Sequence, residues 1–180
     1  DKPSIVLMNH QAQWETMALL VIIPAHAWVL KRELFKLPFF GWALRVLKPI
    51  AIDRGAGKKA LKQLLEQGKE RLGEGLWIVV YPEGTRVPLD KTLPYKSGGA
   101  LLAKETGVDV VPMAHNAGTL WRHKSLLRLP GTIDVHIGPP INPADKSVKE
   151  INAEVRAWVD QHAKTNSLDF VIKQPTSAVD

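Results

Sequence analysis

The sequence predicts an α/β fold: a single-domain layered structure with a mostly parallel central sheet flanked by helices. Apolar runs of strand length alternate along the chain with segments of helical periodicity, the pattern of an α/β layer. Several runs, Trp77-Ile-Val-Val80 among them, are apolar on both faces, so each side of the sheet needs helical cover. The chain has 180 residues, 45% of them hydrophobic, which suits one core and leaves little room for two domains.

Six strands are expected, at Ser4 to Met8, Ala25 to Leu30, Pro49 to Asp53, Leu76 to Tyr81, Asp109 to Ala114 and Thr132 to Ile137. Between the third and fourth, Leu61, Leu64, Leu65 and Leu72 recur at helical spacing within Lys58 to Leu72, with Lys, Gln and Glu in the outward positions. Ser97 precedes an apolar helical run beginning at Ala100 and reads as its cap. Pro112 lies inside the fifth strand and cannot donate to a ladder, so that strand is expected at an edge or leaving the sheet there. The last helix opens on the capping box Ser147-Val-Lys-Glu150 and turns Val148, Ile151, Val155, Trp158 and Val159 to one face. One domain over residues 1–173 is expected, with 174–180 a flexible tail.

Cysteine is absent, which excludes disulfides, thiolate metal sites and a cysteine nucleophile. Lys and Arg outnumber Asp and Glu by 24 to 18, a net charge of +6, favouring anionic partners. No stretch reaches the roughly 18 apolar residues of a spanning helix; Ala18 to Leu30 comes nearest, but Pro24 and His26 break it. The chain opens at Asp1 almost directly in a strand, which leaves room for a membrane-anchoring segment upstream.

Leu34 to Leu47 gathers Phe35, Leu37, Phe39, Phe40, Trp42, Leu44 and Leu47 among Lys36, Arg45 and nearby Lys48. Such spacing usually marks a buried helix. The functional reading is an amphipathic surface that faces lipid or lines an acyl groove. Pro38 and Gly41 argue against one long straight helix.

Four segments carry candidate chemistry. The first strand runs into His10, with Glu15 five residues on; a carboxylate can fix the tautomer of an imidazole acting as general base. Lys48-Pro-Ile-Ala-Ile-Asp-Arg54 ends in a guanidinium before the turn Gly55-Ala-Gly57, suited to a phosphate or to a salt bridge. Tyr81-Pro-Glu83-Gly84-Thr85-Arg86 empties a buried strand into a polar turn, where open α/β sheets bind ligands. His115 and Asn116 end the fifth strand and either face a site or serve as hydrogen-bonded structural residues.

Other chemistries find little support. There is no Gly-x-Ser-x-Gly elbow for a serine hydrolase, and Gly55-Ala-Gly-Lys58 is not a complete P-loop. The six histidines form no ligand pair, so no metal site is expected. Basic residues are dispersed, without the interleaved aromatics of a nucleic-acid surface. A non-catalytic basic module binding anionic membranes is the remaining alternative.

Asn9-His10-x4-Glu15, Ile52-Asp53-Arg54, Pro82-Glu83-Gly84-Thr85-Arg86 and Val111-Pro112 together resemble, in order and context, the four sequence blocks of the glycerolipid acyltransferases of bacterial type. The resemblance covers Ser4 to Pro140, and departs where the family usually has Asp in place of Glu15. It implies that residues 1–173 form a catalytic domain transferring a fatty acyl chain from acyl-CoA or acyl carrier protein to 1-acylglycerol-3-phosphate (lysophosphatidate), giving phosphatidate. In that reading His10 is the base and Glu15 orients it, Arg54 and Arg86 hold the acceptor phosphate, and Glu83, Gly84 and Thr85 shape the pocket. Phe35, Phe39, Phe40 and Trp42 would meet acyl chain or membrane, with backbone N–H groups at the oxyanion. The resemblance further implies no resident cofactor, an anionic membrane surface as partner, and a place on the cytoplasmic face of the inner membrane, peripheral or anchored by an upstream segment. Glycerol-3-phosphate or another lyso-lipid is the alternative acceptor.

Overall fold

The computed structural model describes residues 2–122 and 125–163, apart from the side chain of Phe40. The expected tail at 174–180 lies outside these residues. Six strands form one sheet: β1 (Ile5–Met8), β2 (His26–Lys31), β3 (Ile50–Ile52), β4 (Trp77–Val80), β5 (Val110–His115) and β6 (Val135–Ile137), in the order β3-β2-β4-β1-β5-β6. All neighbours are parallel except β5 and β6. The helices are α1 (Trp14–Ile22), α2 (Phe40–Val46), α3 (Lys58–Gly73), α4 (Gly98–Thr106), α5 (Ala117–Leu120) and α6 (Val148–Ala163).

Period-two alternation divides the core between the two faces of the sheet. Ile5, Leu7, Val29, Ile78 and Val80 pack with Leu64 of α3, Leu102 of α4 and Ile151, Val155 and Val159 of α6. Val6, Met8, Trp28, Val79, Val111 and Met113 turn the other way and meet Leu19 of α1. The first face has the heavier helical cover. It also draws α4 close to the sheet: a Cβ added to Gly99 would lie 2.5 Å from Leu7 Cδ2. At the start of α6 the capping box forms as expected, Ser147 N–H donating to Glu150 Oε2 at 2.7 Å and Glu150 N–H to Ser147 Oγ at 3.2 Å.

Three expectations need correction, and one helix was not foreseen. β5 is not an edge strand and does not leave the sheet at Pro112: β1 and β6 flank it, and Pro112 stays in register with Leu7 of β1. Pro112 is tolerated because pairing on its outer side is interrupted there, between the Met113–Ile137 pair and the Val110–Ile141 bridge; its carbonyl accepts from Gly138 N–H at 2.8 Å. Ser97 stands at the start of α4, but its side chain makes no capping hydrogen bond. The sequence reading did not anticipate α1, whose Met17, Leu20 and Val21 are exposed, so no buried stripe announces it. Leu34 to Leu47 is not an ordinary buried helix: a 3₁₀ turn at Arg32–Lys36 precedes the short α2, and Phe39 and Trp42 stand 77% and 60% exposed.

Because β1 to β5 run parallel, their C-terminal ends share one edge of the sheet. His10, Arg54 and the 81–86 turn follow those ends, and His115 is the last residue of β5. Topology thereby gathers segments up to a hundred residues apart.

Candidate active site

The longer arm of Glu15 does reach the imidazole. His10 Nδ1 lies 2.8 Å from Glu15 Oε1, with His10 13% and Glu15 1% exposed. Oε1 also accepts from the N–H groups of Gln11 and Ala12 at 2.9 Å each, and Oε2 from Ala12 at 3.1 Å. Burial alone would raise the Glu15 carboxyl, but the bond from His10, nearby His115 and the Ala12 N–H outweigh it and hold the group below its ordinary value. An ionised Glu15 only accepts, so Nδ1 carries the proton and the Nε2 lone pair is free. Burial lowers the pKa of His10, with the fields of Arg86 and Arg54 acting the same way against the attraction of Glu15. The ring is therefore a neutral base at pH 7.

The rest of His10 is equally fixed. Tyr81 stacks on the ring, centroids 3.9 Å apart and planes inclined by 17°. Its hydroxyl is 3.4 Å from Thr16 Oγ1. Glu83 Oε2 accepts the His10 N–H at 3.0 Å, and the His10 carbonyl accepts from Val87 N–H at 2.8 Å. Burial pushes the Glu83 carboxyl up to about 7.

His115 lies 3.9 Å from the same carboxylate oxygen but is differently committed. Its Nε2 donates to the Asn9 carbonyl at 2.9 Å, and its Nδ1 accepts from Ala117 N–H at 3.2 Å. Asn9 closes the pair, its Nδ2 donating to the His115 carbonyl at 2.9 Å and its Oδ1 accepting from His115 N–H at 3.1 Å. Of the two roles the sequence left open for His115, the geometry fits the structural one. Asn116 pairs with Asp134 through both side-chain atoms.

A cleft of about 390 Å³ opens beside Tyr81. Its apolar wall includes Val29, Leu61, Leu64 and Val80, and its cations are Arg54, Lys58 and Lys96. Arg54 donates to the Gly84 carbonyl at 2.7 Å. Gly84 has φ +71°, a left-handed conformation that favours glycine, and the end of the Lys96 side chain fills the space a Cβ would take, 2.5 Å from Nζ. Among the described residues no three His, Asp or Glu side chains gather as a metal site would need.

His10, Glu15 and Glu83 thus meet, while the remaining site residues expected from sequence disperse around them. Arg54 and Gly84 line the cleft, whereas Arg86 lines a separate cavity with Ala12, Gln13 and Trp121. Glu83 braces the His10 backbone and faces a third cavity, with Tyr95, Arg156 and Asp160. Thr85 is exposed. Phe35 is half-buried, with Arg45 5.9 Å above its ring, and Phe39 and Trp42 make an edge contact at 5.3 Å. None of these three aromatics lines the cleft. The sequence reading assigned no role to Tyr81, Lys58 or Lys96. Tyr81, directly before Pro82-Glu83, could have been found by its place in the block.

Comparison with known proteins fits this geometry. An acyltransferase family model matches residues 1–116. A 1-acyl-sn-glycerol-3-phosphate acyltransferase of Pseudomonas aeruginosa is 45% identical over 164 residues, covering 89% of this chain and 64% of the relative. The enzyme of that name from Helicobacter pylori is 35% identical over 111 residues, 61% of this chain and 46% of the relative. This chain therefore spans about half to two-thirds of the length of these relatives. The crystal structure of a 1-acyl-sn-glycerophosphate (LPA) acyltransferase from Thermotoga maritima superposes with a TM-score of 0.76 at 27% identity, covering 97% of this chain and 68% of that one.

Proposed function

The chain belongs to the acyltransferase family, and from that footing we propose that it moves a fatty acyl group from a thioester, acyl-CoA or acyl carrier protein, to the free hydroxyl of 1-acylglycerol-3-phosphate. The observation that carries this reading is the Nε2 of His10, unbonded among the described residues, on a ring held by Glu15 and by Tyr81, which also lines an apolar cleft bearing Arg54, Lys58 and Lys96. The name shared by the relatives supports lysophosphatidate as acceptor.

In the proposed reaction the hydroxyl oxygen attacks the thioester carbonyl while its proton passes to His10 Nε2. Glu15 stabilises the imidazolium that results. Collapse of the tetrahedral intermediate breaks the C–S bond, and the thiolate takes the proton back from His10. The acyl chain lies in the cleft along Val29, Leu61 and Leu64, and the positive groups Arg54 and Arg86 attract the phosphate. A thioester is already reactive, so positioning plus one base suffices without an acyl-enzyme or a resident cofactor.

The acceptor is a membrane lipid, and the exposed Phe39, Trp42 and Val46 beside Lys36, Arg45 and Lys48 support contact with an anionic membrane surface. On this reading the protein works at the cytoplasmic side of the inner membrane. No helix among the described residues is long and apolar enough to cross one.

The test is acyl transfer on liposomes carrying lysophosphatidate, with glycerol-3-phosphate and lysophosphatidylcholine as rival acceptors and thiol release as readout. Release that depends on lysophosphatidate is expected. Release independent of any acceptor would mean thioester hydrolysis and overturn the proposal.

A further inference from the structure

Next to His10 is a cavity of about 280 Å³ that shares no lining residue with the apolar cleft. Three arginines line it: Arg86 from the turn after β4, and Arg122 and Arg128 from the segment after α5. Among the described residues no carboxylate lines it. Not every arginine elsewhere meets an acid, since Arg45 lies over Phe35 and Arg54 bonds to the Gly84 carbonyl, but Arg71 meets Glu70 and Glu74, and Arg156 meets Asp160. Here that compensation is missing. Arg86 Nε is buried without a hydrogen-bond partner. Among the described residues Arg128 bonds to the backbone carbonyls of Ser125 and Leu127, and its guanidinium lies 4.3 Å from the ring centroid of Trp121, which also lines the cavity. Clustered like charges repel, so such a group is best stabilised by an anion taken from solution. The cavity also adjoins the dyad, since its Ala12 donates the N–H bound by Glu15.

We propose that Arg122 and Arg128, which lie outside the four sequence blocks, complete with Arg86 a phosphomonoester site, and that they set the preference for a substrate bearing that group. This deepens the acyl-transfer reading and rests on it for the identity of the substrate. Three guanidinium forks match the three terminal oxygens of a phosphomonoester dianion better than the two free oxygens of a diester. Two substrates could supply the group: the lysophosphatidate acceptor, or the 3′-phosphate of a coenzyme A donor. Arg54 lines the other cavity and contributes to phosphate attraction only through its field, which also reaches His10.

The experiment compares the wild-type protein with Arg122→Gln, Arg128→Gln and the double variant. Both arginines are exposed, and thermal unfolding verifies that the variants fold. The KM of the double variant for its phosphomonoester substrate is expected to rise roughly 10- to 100-fold, with kcat within about twofold and Arg128→Lys recovering part of the loss. A rise for lysophosphatidate with none for the donor places the acceptor in the site. A rise for acyl-CoA that disappears with acyl-dephospho-CoA places the donor there. An unchanged KM for both, or equal rises for phosphorylated and unphosphorylated substrates, overturns the proposal. Binding of glycerol-3-phosphate and of coenzyme A is measured by calorimetry in parallel and needs no turnover. If the wild type transfers no acyl group, the proposed function fails, and the binding data still decide the site: weaker binding of either ligand in the double variant supports it, and unchanged affinity for both defeats it.

Discussion

Two histidines end adjacent strands and share one carboxylate, yet only one is equipped for proton transfer. His10 follows β1, keeps Nε2 free and is partly open; His115 ends β5, is fully buried, and has both ring nitrogens bound to backbone. Burial lowers the pKa of each, so both are neutral at pH 7. What separates a base from a strut here is not its titration but an uncommitted lone pair.

The sharpest way to break this comparison is to delete each ring. His10→Ala should reduce acyl transfer by about 10³-fold or more while costing less stability than loss of the fully buried His115, since Glu15 keeps the Gln11 and Ala12 N–H groups. His115→Ala should do the reverse, lowering stability by roughly 2–3 kcal/mol as the Asn9 carbonyl and Ala117 N–H lose a buried partner. Activity per folded molecule should then fall less than about tenfold. Denaturant titration beside initial rates checks both. Similar losses of activity from the two variants would erase the distinction.

Glu15 touches both histidines, so its removal should combine their phenotypes. Glu15→Ala is expected to cost about 10²-fold in rate and roughly 1–3 kcal/mol in stability, because two N–H groups and the imidazole lose one acceptor. Asp at this position is a finer probe: it keeps the charge on a shorter arm, and partial recovery of rate would separate charge from reach.

The pH dependence sharpens the same contrast. Below the depressed pKa of His10 the base is protonated, so the acid limb of the rate profile should fall below pH 6.5. Stability changes with the same sign: the unfolded chain takes up protons at each histidine before the fold does, so stability is lost as pH drops through 6.5 towards the folded values. Glu83 has the opposite sense. Its carboxyl is raised to about 7, so its ionisation opposes folding as pH rises from its unfolded value through 7. Glu83→Gln, whose amide oxygen can still accept the His10 N–H, should therefore resist denaturant better than wild type at pH 8 and not at pH 4. The smallest effects belong to Tyr81. Tyr81→Phe keeps the stack and should stay within about twofold of wild-type rate, whereas Tyr81→Leu should fall by roughly tenfold.

The strands and long helices were legible because they obey a single period. Leu61, Leu64 and Leu65 in α3 and Ile151, Val155 and Val159 in α6 announce buried faces, and Trp77 to Val80 announces a strand covered on both sides. Periodicity failed at α1 and α2, whose exposed apolar residues do not alternate with a polar face. At the site, the His10–Glu15 dyad could be read because its partners are five residues apart, within one connection. The Tyr81 stack and the Glu83 brace span 71 and 73 positions, and only the pairing of β1 with β4 brings them to His10. Pro112 misled for a related reason: a proline forbids one hydrogen bond, not a neighbouring strand, and the gap that accommodates it is made by residues 137–141.

Tyr81 also limits how this protein can be re-engineered. One ring both stacks on the imidazole and walls the cleft, so enlarging the cleft there would loosen His10 at the same stroke. Selection or design for a different cleft shape has a freer hand elsewhere on the wall, at Val29 on β2 or at Leu61 and Leu64 on α3, elements that carry neither member of the dyad. Variation in substrate size is therefore expected to accumulate at those three positions while the tyrosine stays aromatic.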